Sequence, residues 1–181
     1  MSDTSLIRLG DLVQITGGGT PSKKCDEYWG GNIPWASVKD ISRCGKYLER
    51  TIDYISDLGL KNSASNLIPP NTIIVPTRML LGVAVINTIP VAINQDLKAI
   101  KCSDKIDPTD SAYCINANKD YFEREGSGAT VKGITLSVLR DFKVRLPPIS
   151  EQKRIATILD KADVLRQKRR QAIAKLDGCS L

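Results

Sequence analysis

The C-terminal part of the chain has the clearest pattern of apolar and polar positions. Two consecutive prolines, Pro147 and Pro148, end the preceding segment because neither can lie inside a helix. Ser150 follows them and is a suitable N-cap. After it, apolar residues recur at steps of three and four, and only Arg169 interrupts them. The spacing predicts a helix over residues 150–177, about 42 Å long at 1.5 Å per residue.

The apolar positions of this helix form a narrow stripe. A long helix with such a stripe is typical of a strut that pairs with another helix, here through self-association. Two copies of Arg169 facing each other would be unfavourable, so we expect an antiparallel pair in which Arg169 reaches Asp160 or Asp163. The alternative is a monomer whose helix is covered by another protein. The predicted dimerisation residues are Ile155, Ile158, Ala162, Leu165, Ala172 and Leu176.

Short strand-like segments precede the helix. Residues 72–75 are a continuous apolar run that predicts a buried strand, and residues 82–86 are expected to be its hairpin partner. Residues 33–37 also resemble a strand. Because Pro34 in this segment cannot donate a hydrogen bond to a neighbouring strand, we predict that it lies at the edge of a sheet.

One capped helix completes the expected fold. Asp107 is a good N-cap and Pro108 suits a first helical turn, so a helix is predicted over residues 107–122. Many short strands with a few helices are typical of an α+β domain. We therefore predict an α+β domain with a mixed or antiparallel sheet over residues 1–148, followed by a long coiled-coil helix over residues 149–181.

Positive charge is concentrated in the C-terminal helix. The chain of 181 residues contains 26 Lys and Arg and 20 Asp and Glu, a formal net charge of +6. Residues 150–177 hold eight basic and four acidic residues, so most of the excess lies there. Such a helix is either a solvated face or a surface for a polyanion.

The cysteine pattern and the absence of histidine restrict the chemistry. No two cysteines have C-x-x-C spacing, so we expect no metal site and free thiols in a reducing cytoplasm. Without histidine, a Ser-His-Asp or Cys-His site cannot form, and nucleotide-binding glycine motifs are missing. The sequence shows neither a signal peptide nor an apolar run long enough for a membrane span. The cysteines are Cys25, Cys44, Cys102, Cys114 and Cys179.

Two loops combine glycines with lysines. Residues 16–24 and 126–133 indicate exposed loops whose lysines can meet nucleic-acid phosphates. The first is not a phosphate-binding P-loop, since its lysines are not followed by Ser or Thr. Between the loops lie both tryptophans, Trp29 and Trp35, which either pack over the edge of the core, the interpretation that we favour, or stack on bases.

Several short motifs occur in a specific order along nearly the whole chain. The strongest is the entry into the long helix, Pro147-Pro148-Ile149-Ser150-Glu151-Gln152. The others are Leu9-Gly10-Asp11-Leu12, Gly19-Thr20-Pro21, Gly31-Asn32-Ile33-Pro34-Trp35 with Asp40-Ile41, and Asn94-Gln95. Each motif is weak alone, but together they resemble the DNA-specificity (S) subunit of type I restriction-modification enzymes.

The resemblance implies one target-recognition domain and one conserved-region helix. A full S subunit looks like two such units in tandem, whose helices pack antiparallel so that each domain reads one half of a bipartite DNA site. This chain resembles half of that subunit. The partners implied are double-stranded DNA and the methylation (M) and restriction (R) subunits. S-adenosylmethionine, ATP and Mg are expected on those subunits, with no cofactor on this chain.

Polar and basic residues in and beside the glycine loops are the predicted DNA contacts. Lysines would contact phosphates, whereas Arg78 could pair with a guanine edge. The alternative for Arg78 is an ordinary surface residue at a hairpin tip. The candidates are Thr20, Ser22, Lys23, Lys24, Arg78, Thr130 and Lys132.

Three functions compete at this point. The first is a non-catalytic, sequence-specific DNA-binding subunit, which the motifs favour. The second is a stand-alone methyltransferase or nuclease, which the missing cofactor and catalytic motifs disfavour. The third is a structural coiled-coil adaptor, or a DNA-binding module without sequence readout.

Overall fold

The computed structural model describes residues 6–128 and 130–177, with side chains as far as Lys175. The strands in this part of the chain are β1 Leu6–Arg8, β2 Val13–Gly17, β3 Trp29–Ala36, β4 Tyr47–Leu48, β5 Asp53–Ile55, β6 Leu67–Ile68, β7 Ile73–Pro76, β8 Val85–Asn87, β9 Val91–Ile93, β10 Leu97–Cys102 and β11 Lys143–Arg145. The α-helices are α1 Val38–Arg43, α2 Asp57–Lys61, α3 Pro108–Ala117, α4 Lys119–Glu125, α5 Leu136–Asp141 and α6 Ile149–Asp177. The predicted α+β class is confirmed.

The strands form three sheets. One has five strands in the order β2-β10-β7-β8-β4, one has four in the order β5-β3-β9-β6, and β1 pairs with β11 alone. Most neighbours are antiparallel, but β3 with β9 and β4 with β8 are parallel. Because parallel neighbours need a crossover connection, these pairs bring distant parts of the sequence side by side.

The buried strand predicted over residues 72–75 is confirmed as β7. Ile73 and Val75 pack into a cluster that contains Phe122, whereas Ile74 packs into a second cluster with Ile93. Successive strand side chains point to opposite faces, so β7 is buried on both sides, which explains its continuous apolar sequence. The antiparallel partner is also confirmed, since Ile73 lies opposite Ile86, but the strand β8 covers Val85–Asn87 and not the predicted residues 82–86.

The predicted edge position of the strand around Pro34 is wrong. β3 lies inside its sheet, between β5 and β9. Pro34 lies opposite Tyr54 of β5, and the pairing with β9 begins only one residue later, at Trp35. At Pro34 the strand therefore has a single paired neighbour, so the missing N–H removes no bond to β9.

The predicted helix over residues 107–122 is divided into two. Asp107 caps α3 as expected, because its carboxylate accepts from two N–H groups of the first turn, each at 3.0 Å. The chain then leaves the helix at Asn118, and α4 begins at Lys119. The Asn118 side chain donates to the carbonyl of Cys114 at 2.8 Å, which satisfies one of the last carbonyls of α3 and favours the break.

The start of α6 lies directly after the strand pair of β1 and β11. The helix begins at Ile149, and the N–H groups of Glu151 and Gln152 donate to the Pro148 carbonyl at 2.9 and 3.1 Å. Ser150 lies inside the first turn, so its predicted role as the N-cap is wrong. The proline pair still separates strand from helix, because proline at this position loses no helical hydrogen bond.

Gln152 fixes the first turn of α6 to the domain. Its side chain is 1% exposed. The amide oxygen accepts from the N–H of Asp107 at 2.8 Å, and the amide nitrogen donates to the carbonyls of Lys105 at 3.0 Å and Pro147 at 2.8 Å. One buried side chain thus joins α6 to the N-terminus of α3 and to the proline linker.

A charged cluster fixes the next two turns. The Tyr113 hydroxyl on α3 hydrogen-bonds Asp160 at 2.7 Å and Asp163 at 2.8 Å. Lys46 pairs with Asp160 and lies over the Tyr113 ring, 4.5 Å from its centroid. Burial and the two carboxylates raise the pKa of Tyr113, so the hydroxyl stays protonated and can donate. Because Asp160 and Asp163 are occupied here, the expectation that they serve Arg169 of a second copy is weakened.

Most of the predicted dimerisation stripe faces away from the domain. Ala156 is buried on the same side of α6 as Gln152 and Asp163, whereas Ile158 is 53% and Leu165 67% exposed. At about 100° per residue, the centre of the stripe lies about 145° around the helix from the docked side. Of the other stripe residues, Ile155 and Ala162 are half-buried and Ala172 is exposed, and the side chain of Leu176 lies outside the described residues.

Candidate nucleic-acid interface

The first glycine loop is packed against the sheet. A Cβ on Gly18 would lie 2.0 Å from the Ile93 carbonyl oxygen, so only glycine fits there. The Gly19 N–H donates to the same carbonyl at 3.0 Å. The loop therefore has a fixed backbone from which the side chains of Thr20 and Lys23 project.

Both tryptophans support this loop. The Trp35 indole N–H donates to the Gly19 carbonyl at 3.1 Å, and the Trp29 indole N–H donates to the Ser22 carbonyl at 3.2 Å. The two rings meet edge to face with centroids 5.1 Å apart. Packing over the edge of the core, which we favoured, is confirmed, and the loop gains two directional bonds from it.

A cleft opens beside the tryptophans, and we call it the tryptophan cleft. It has a volume of about 690 Å³ and mixes aromatic, acidic, basic and amide side chains. Lys23 and Lys39 supply positive charge, and Asp26 and Asp53 supply acceptors. The lining residues are Thr20, Lys23, Asp26, Trp29, Trp35, Ser37, Lys39, Asp53, Asn94 and Gln95.

A second, smaller depression, the arginine groove, shares one wall with this cleft. Its lining residues are Thr77, Arg78, Gln95, Asp96, Lys98, Ile134 and Leu136. The Arg78 side chain is 66% exposed, and its nearest acidic atom is an Asp96 carboxylate oxygen 3.9 Å away. At that distance and exposure the ion pair contributes little, so the guanidinium can turn to another acceptor.

The turn between β9 and β10 joins the two depressions. Gln95 is exposed and lines both of them, and its amide oxygen accepts from the Thr20 hydroxyl. Asn94 stabilises the turn, since its side-chain oxygen accepts from the Asp96 N–H at 3.1 Å. The first glycine loop and Arg78 thus belong to one continuous polar surface.

The second glycine loop borders the arginine groove from the other side. Ser127 and Gly133 pair through two backbone hydrogen bonds of 3.0 and 2.9 Å, and Arg78 forms a bridge with Gly133. Thr130 and Lys132 are exposed on this loop. The structure therefore places the two predicted loops and Arg78 on neighbouring parts of one surface, although residues 78 and 130–132 lie far from residues 20–24 in sequence.

Sequence reasoning missed several residues of this surface. Gln95 was noticed only as part of a motif, and neither Lys39 nor Lys98 was a candidate. Lys98 donates to the Gln95 carbonyl at 2.8 Å, and partial burial lowers its pKa. Asn94-Gln95, between two apolar runs, is a sequence signal for a polar turn. Only the parallel pairing of β3 with β9 shows that this turn lies beside the first glycine loop.

Three of the cysteines have thiols with a raised pKa. Burial raises the pKa of Cys44 and Cys114 and raises that of Cys102 to about 12, so these thiols stay protonated at neutral pH. In the described ranges 6–128 and 130–177, no three Cys, Asp or Glu side chains are arranged to hold a metal ion. Within those same ranges, no helix is long and apolar enough to cross a bilayer.

Comparisons with known proteins agree with the motif pattern. A family model described as "Type I restriction modification DNA specificity domain" matches residues 1–175. The EcoR124I/EcoR124II specificity subunit of Escherichia coli is 36% identical over 165 residues, which cover 87% of this chain and 40% of that protein. The MjaIX specificity subunit of Methanocaldococcus jannaschii is 28% identical over 183 residues, which cover 99% of this chain and 42% of that protein.

A solved structure shares the fold. A chain from a study of complex assembly in the type I R-M system has a TM-score of 0.75 at 22% identity, over 98% of this chain and 43% of that chain. This likeness shows that the fold is shared over nearly the whole of this chain. The present chain spans less than half the length of the curated relatives that it matches.

Proposed function

The chain belongs to the type I restriction modification DNA specificity family, and on that basis we propose that it recognises DNA sequence for a type I restriction-modification complex. In this proposal it reads one half of a bipartite site and directs methylation and restriction subunits to it. The family match over residues 1–175 carries the proposal. The continuous surface of the tryptophan cleft and the arginine groove supports it, because it offers cations for phosphates and amides and carboxylates for base edges.

The chain itself performs no catalysis in this proposal. The methylation subunits bind S-adenosylmethionine, and the restriction subunits use ATP and Mg. The globular part over residues 1–148 binds DNA. The helix over residues 149–181 sets the spacing between the two half-sites and pairs with a second helix.

The test is a methylation and binding assay on the purified chain with and without methylation subunits. The assembled complex is expected to bind its target selectively and to lose affinity when base pairs of one half-site are changed singly. Each mismatch typically costs about 1–3 kcal/mol. Methyl transfer by the chain alone would support an enzyme instead, and equal binding to all sequences would support an adaptor or a non-specific module.

The isolated chain should bind DNA weakly and with strong salt dependence. The first 149 residues hold eighteen basic and sixteen acidic residues, so their net charge is small. Phosphate contacts by loop lysines then dominate, and affinity falls steeply with salt. Strong discrimination between target and random DNA by the isolated chain at physiological salt would contradict this expectation.

Arg78 is the sharpest candidate for base readout. Its guanidinium is exposed and only loosely held by Asp96, and arginine pairs bidentately with guanine. Arg78→Ala in the assembled complex should relax specificity at one base position, at a cost of roughly 1–3 kcal/mol. Lys24→Ala is the control for phosphate contact, because it should weaken binding equally for all sequences. A uniform loss with Arg78→Ala would assign that residue to phosphate as well.

Self-association through α6 would supply a second recognition domain for the other half of the bipartite DNA site. The exposed stripe with Ile158 and Leu165 faces away from the domain, and its burial between two helices removes apolar area from water at about 25 cal/mol per Å². An antiparallel pair is two-fold symmetric and would read the same half-site twice, inverted, as an interrupted palindrome. Light scattering at micromolar concentration tests this; a chain that stays monomeric would instead have its stripe covered by methylation subunits.

A further inference from the structure

The loop between β7 and β8 contains a strained turn at Met79. The Leu80 N–H donates to the Arg78 carbonyl at 2.8 Å, which closes a three-residue turn. Met79 at its centre has a φ of +67°, a left-handed conformation that side chains with a Cβ rarely adopt. Among the described residues, the other non-glycine with positive φ is Asn71, whose residue type tolerates that conformation.

Neighbouring loops hold this turn in place. The Met79 N–H donates to the Lys132 carbonyl at 3.2 Å. Immediately before the turn, the Thr77 N–H donates to the Asp96 carbonyl at 2.7 Å, and the Thr77 carbonyl accepts from Ile134 at 2.9 Å. Strain that persists under such support is frequent at functional sites, where it fixes the direction of a side chain.

The direction fixed here is outward. Met79 is 61% exposed, whereas Leu81, two residues later, is 4% exposed. The adjacent residue of the second glycine loop, Val131, is 47% exposed, so the tip carries two apolar side chains.

Cations flank this apolar tip, which we call the Met79 tip and define as residues 78–80 and 131–132. Arg78 precedes Met79, and Lys132 follows Val131 and provides the carbonyl that holds the turn. Arg78 also lines the arginine groove with Lys98. An exposed apolar side chain on a rigid turn between cations is more complementary to a polyanion with an apolar interior than to a protein surface. DNA is such a partner, since its phosphates lie on either side of stacked bases.

We propose that Met79 is a wedge that enters the base stack of bound DNA, while Lys132 contacts a phosphate beside that step and Arg78 reaches the edge of a neighbouring base. Unbranched, flexible methionine is among the side chains that proteins insert between bases, and the resulting local unstacking bends the duplex. The inference rests on the proposed function and adds to it a contact that depends on how easily one base step deforms. Flexible pyrimidine–purine steps at that position would therefore be preferred.

The experiment uses the complex of this chain with methylation subunits and target duplexes that carry 2-aminopurine at one position at a time, excluding the base that is flipped out for methylation. Wild-type protein should raise the fluorescence several-fold at one step, because unstacking relieves quenching. Met79→Ala should abolish the rise and weaken specific binding roughly tenfold. Met79→Leu, which keeps an apolar side chain, should retain most of both signals. Leu58→Ala, which removes a comparably exposed apolar side chain on α2, should change neither.

A second variant separates the wedge from the strain. Met79→Gly removes the side chain and also relieves the positive φ, so the turn remains folded; it should behave as Met79→Ala does. If Met79→Gly kept the fluorescence rise, the backbone and not the side chain would cause the unstacking, and the inference would be wrong.

The remaining outcomes distinguish this inference from the proposed function. Selective binding of the wild-type complex without a fluorescence change at any position would overturn the wedge and leave the proposed function intact. Weaker assembly with the methylation subunits in Met79→Ala, at unchanged fluorescence, would assign the tip to a protein contact and also overturn the wedge. Absence of selective binding by the wild-type complex would overturn both.

Discussion

The first half of α6 is attached to the domain, whereas its second half is exposed along its described length. Gln152 and Ala156 are buried in the first half, but residues 164–175 are all exposed. The attachment is mainly polar: an amide with three hydrogen bonds, and two carboxylates held by Tyr113 and Lys46. The comparison teaches that directional bonds hold the helix, while the exposed part of its apolar stripe, with Ile158 and Leu165, is left for another surface.

Directional bonds have a consequence that apolar packing alone would not have. Hydrogen bonds from Gln152 and Tyr113 fix both the tilt and the rotation of α6, because their strength falls steeply with misalignment. The stripe with Ile158 and Leu165 is thereby held at a fixed position relative to the Met79 tip and the two depressions. If α6 sets the distance between two half-sites, the polar attachment determines how accurately that distance is kept.

The largest expected effect comes from breaking the attachment at Gln152. Gln152→Leu keeps the approximate volume but leaves the Asp107 N–H and two carbonyls buried without their partner, so the free energy of unfolding should fall by about 3–5 kcal/mol. Urea unfolding followed by circular dichroism measures it. Gln167→Leu is the matched control, since Gln167 is exposed on the same helix and should change stability by less than about 0.5 kcal/mol. A loss below about 1 kcal/mol for Gln152→Leu would mean that the amide does not anchor α6.

A smaller effect is expected at the second attachment. Tyr113→Phe removes the hydroxyl that separates Asp160 from Asp163 and leaves two carboxylates facing each other, so stability should fall by about 1–2 kcal/mol. Added salt should reduce this loss, because it screens the repulsion between the carboxylates. Tyr121→Phe serves as the control, since its ring packs on Phe122 and Phe142. Equal losses in the two variants would show that the loss at Tyr113 does not come from its bonds to α6.

The smallest effect on folding is expected in the exposed stripe. Ile158→Asp with Leu165→Asp should change the free energy of unfolding of the monomer by less than about 0.5 kcal/mol per site, because both side chains already face solvent. The same double variant should abolish self-association at micromolar concentration. Thr157→Asp with Gln171→Asp is the charge-matched control on another side of α6. A double stripe variant that dimerises as well as wild type would remove the predicted dimer and the palindrome with it.

Local signals in the sequence were sufficient for several elements. The Asp107 cap, the break at the two prolines and the buried strand β7 were all predicted, because each depends on neighbouring residues. The family motifs likewise gave the fold class and the expectation of DNA recognition. A rule based on neighbouring residues failed at Pro34. The proline predicts an edge strand, but β9 pairs with β3 from the next residue onward, and that pairing belongs to the tertiary structure.

The candidate site was predicted only in part. The glycine loops and Arg78 lie on one surface, but two glycines of the first loop serve close packing, Gly18 against Ile93 and Gly19 against Ala64. Gln95 was not a candidate, although it lines both depressions. Its position depends on the crossover that brings β9 beside β3, and no local pattern encodes such a crossover.

The sequence by itself determined that α6 is long, basic and striped, because helix length and periodicity follow from the order of residues along one element. Only the tertiary structure decided which side of that helix is attached. The hydrogen bond from Asp107 to Gln152 joins residues 45 positions apart, and that from Tyr113 to Asp163 joins residues 50 apart. Such contacts exist because β1 pairs with β11 and thereby sets α6 beside α3, so the same helical pattern could have been attached on another side in a different fold.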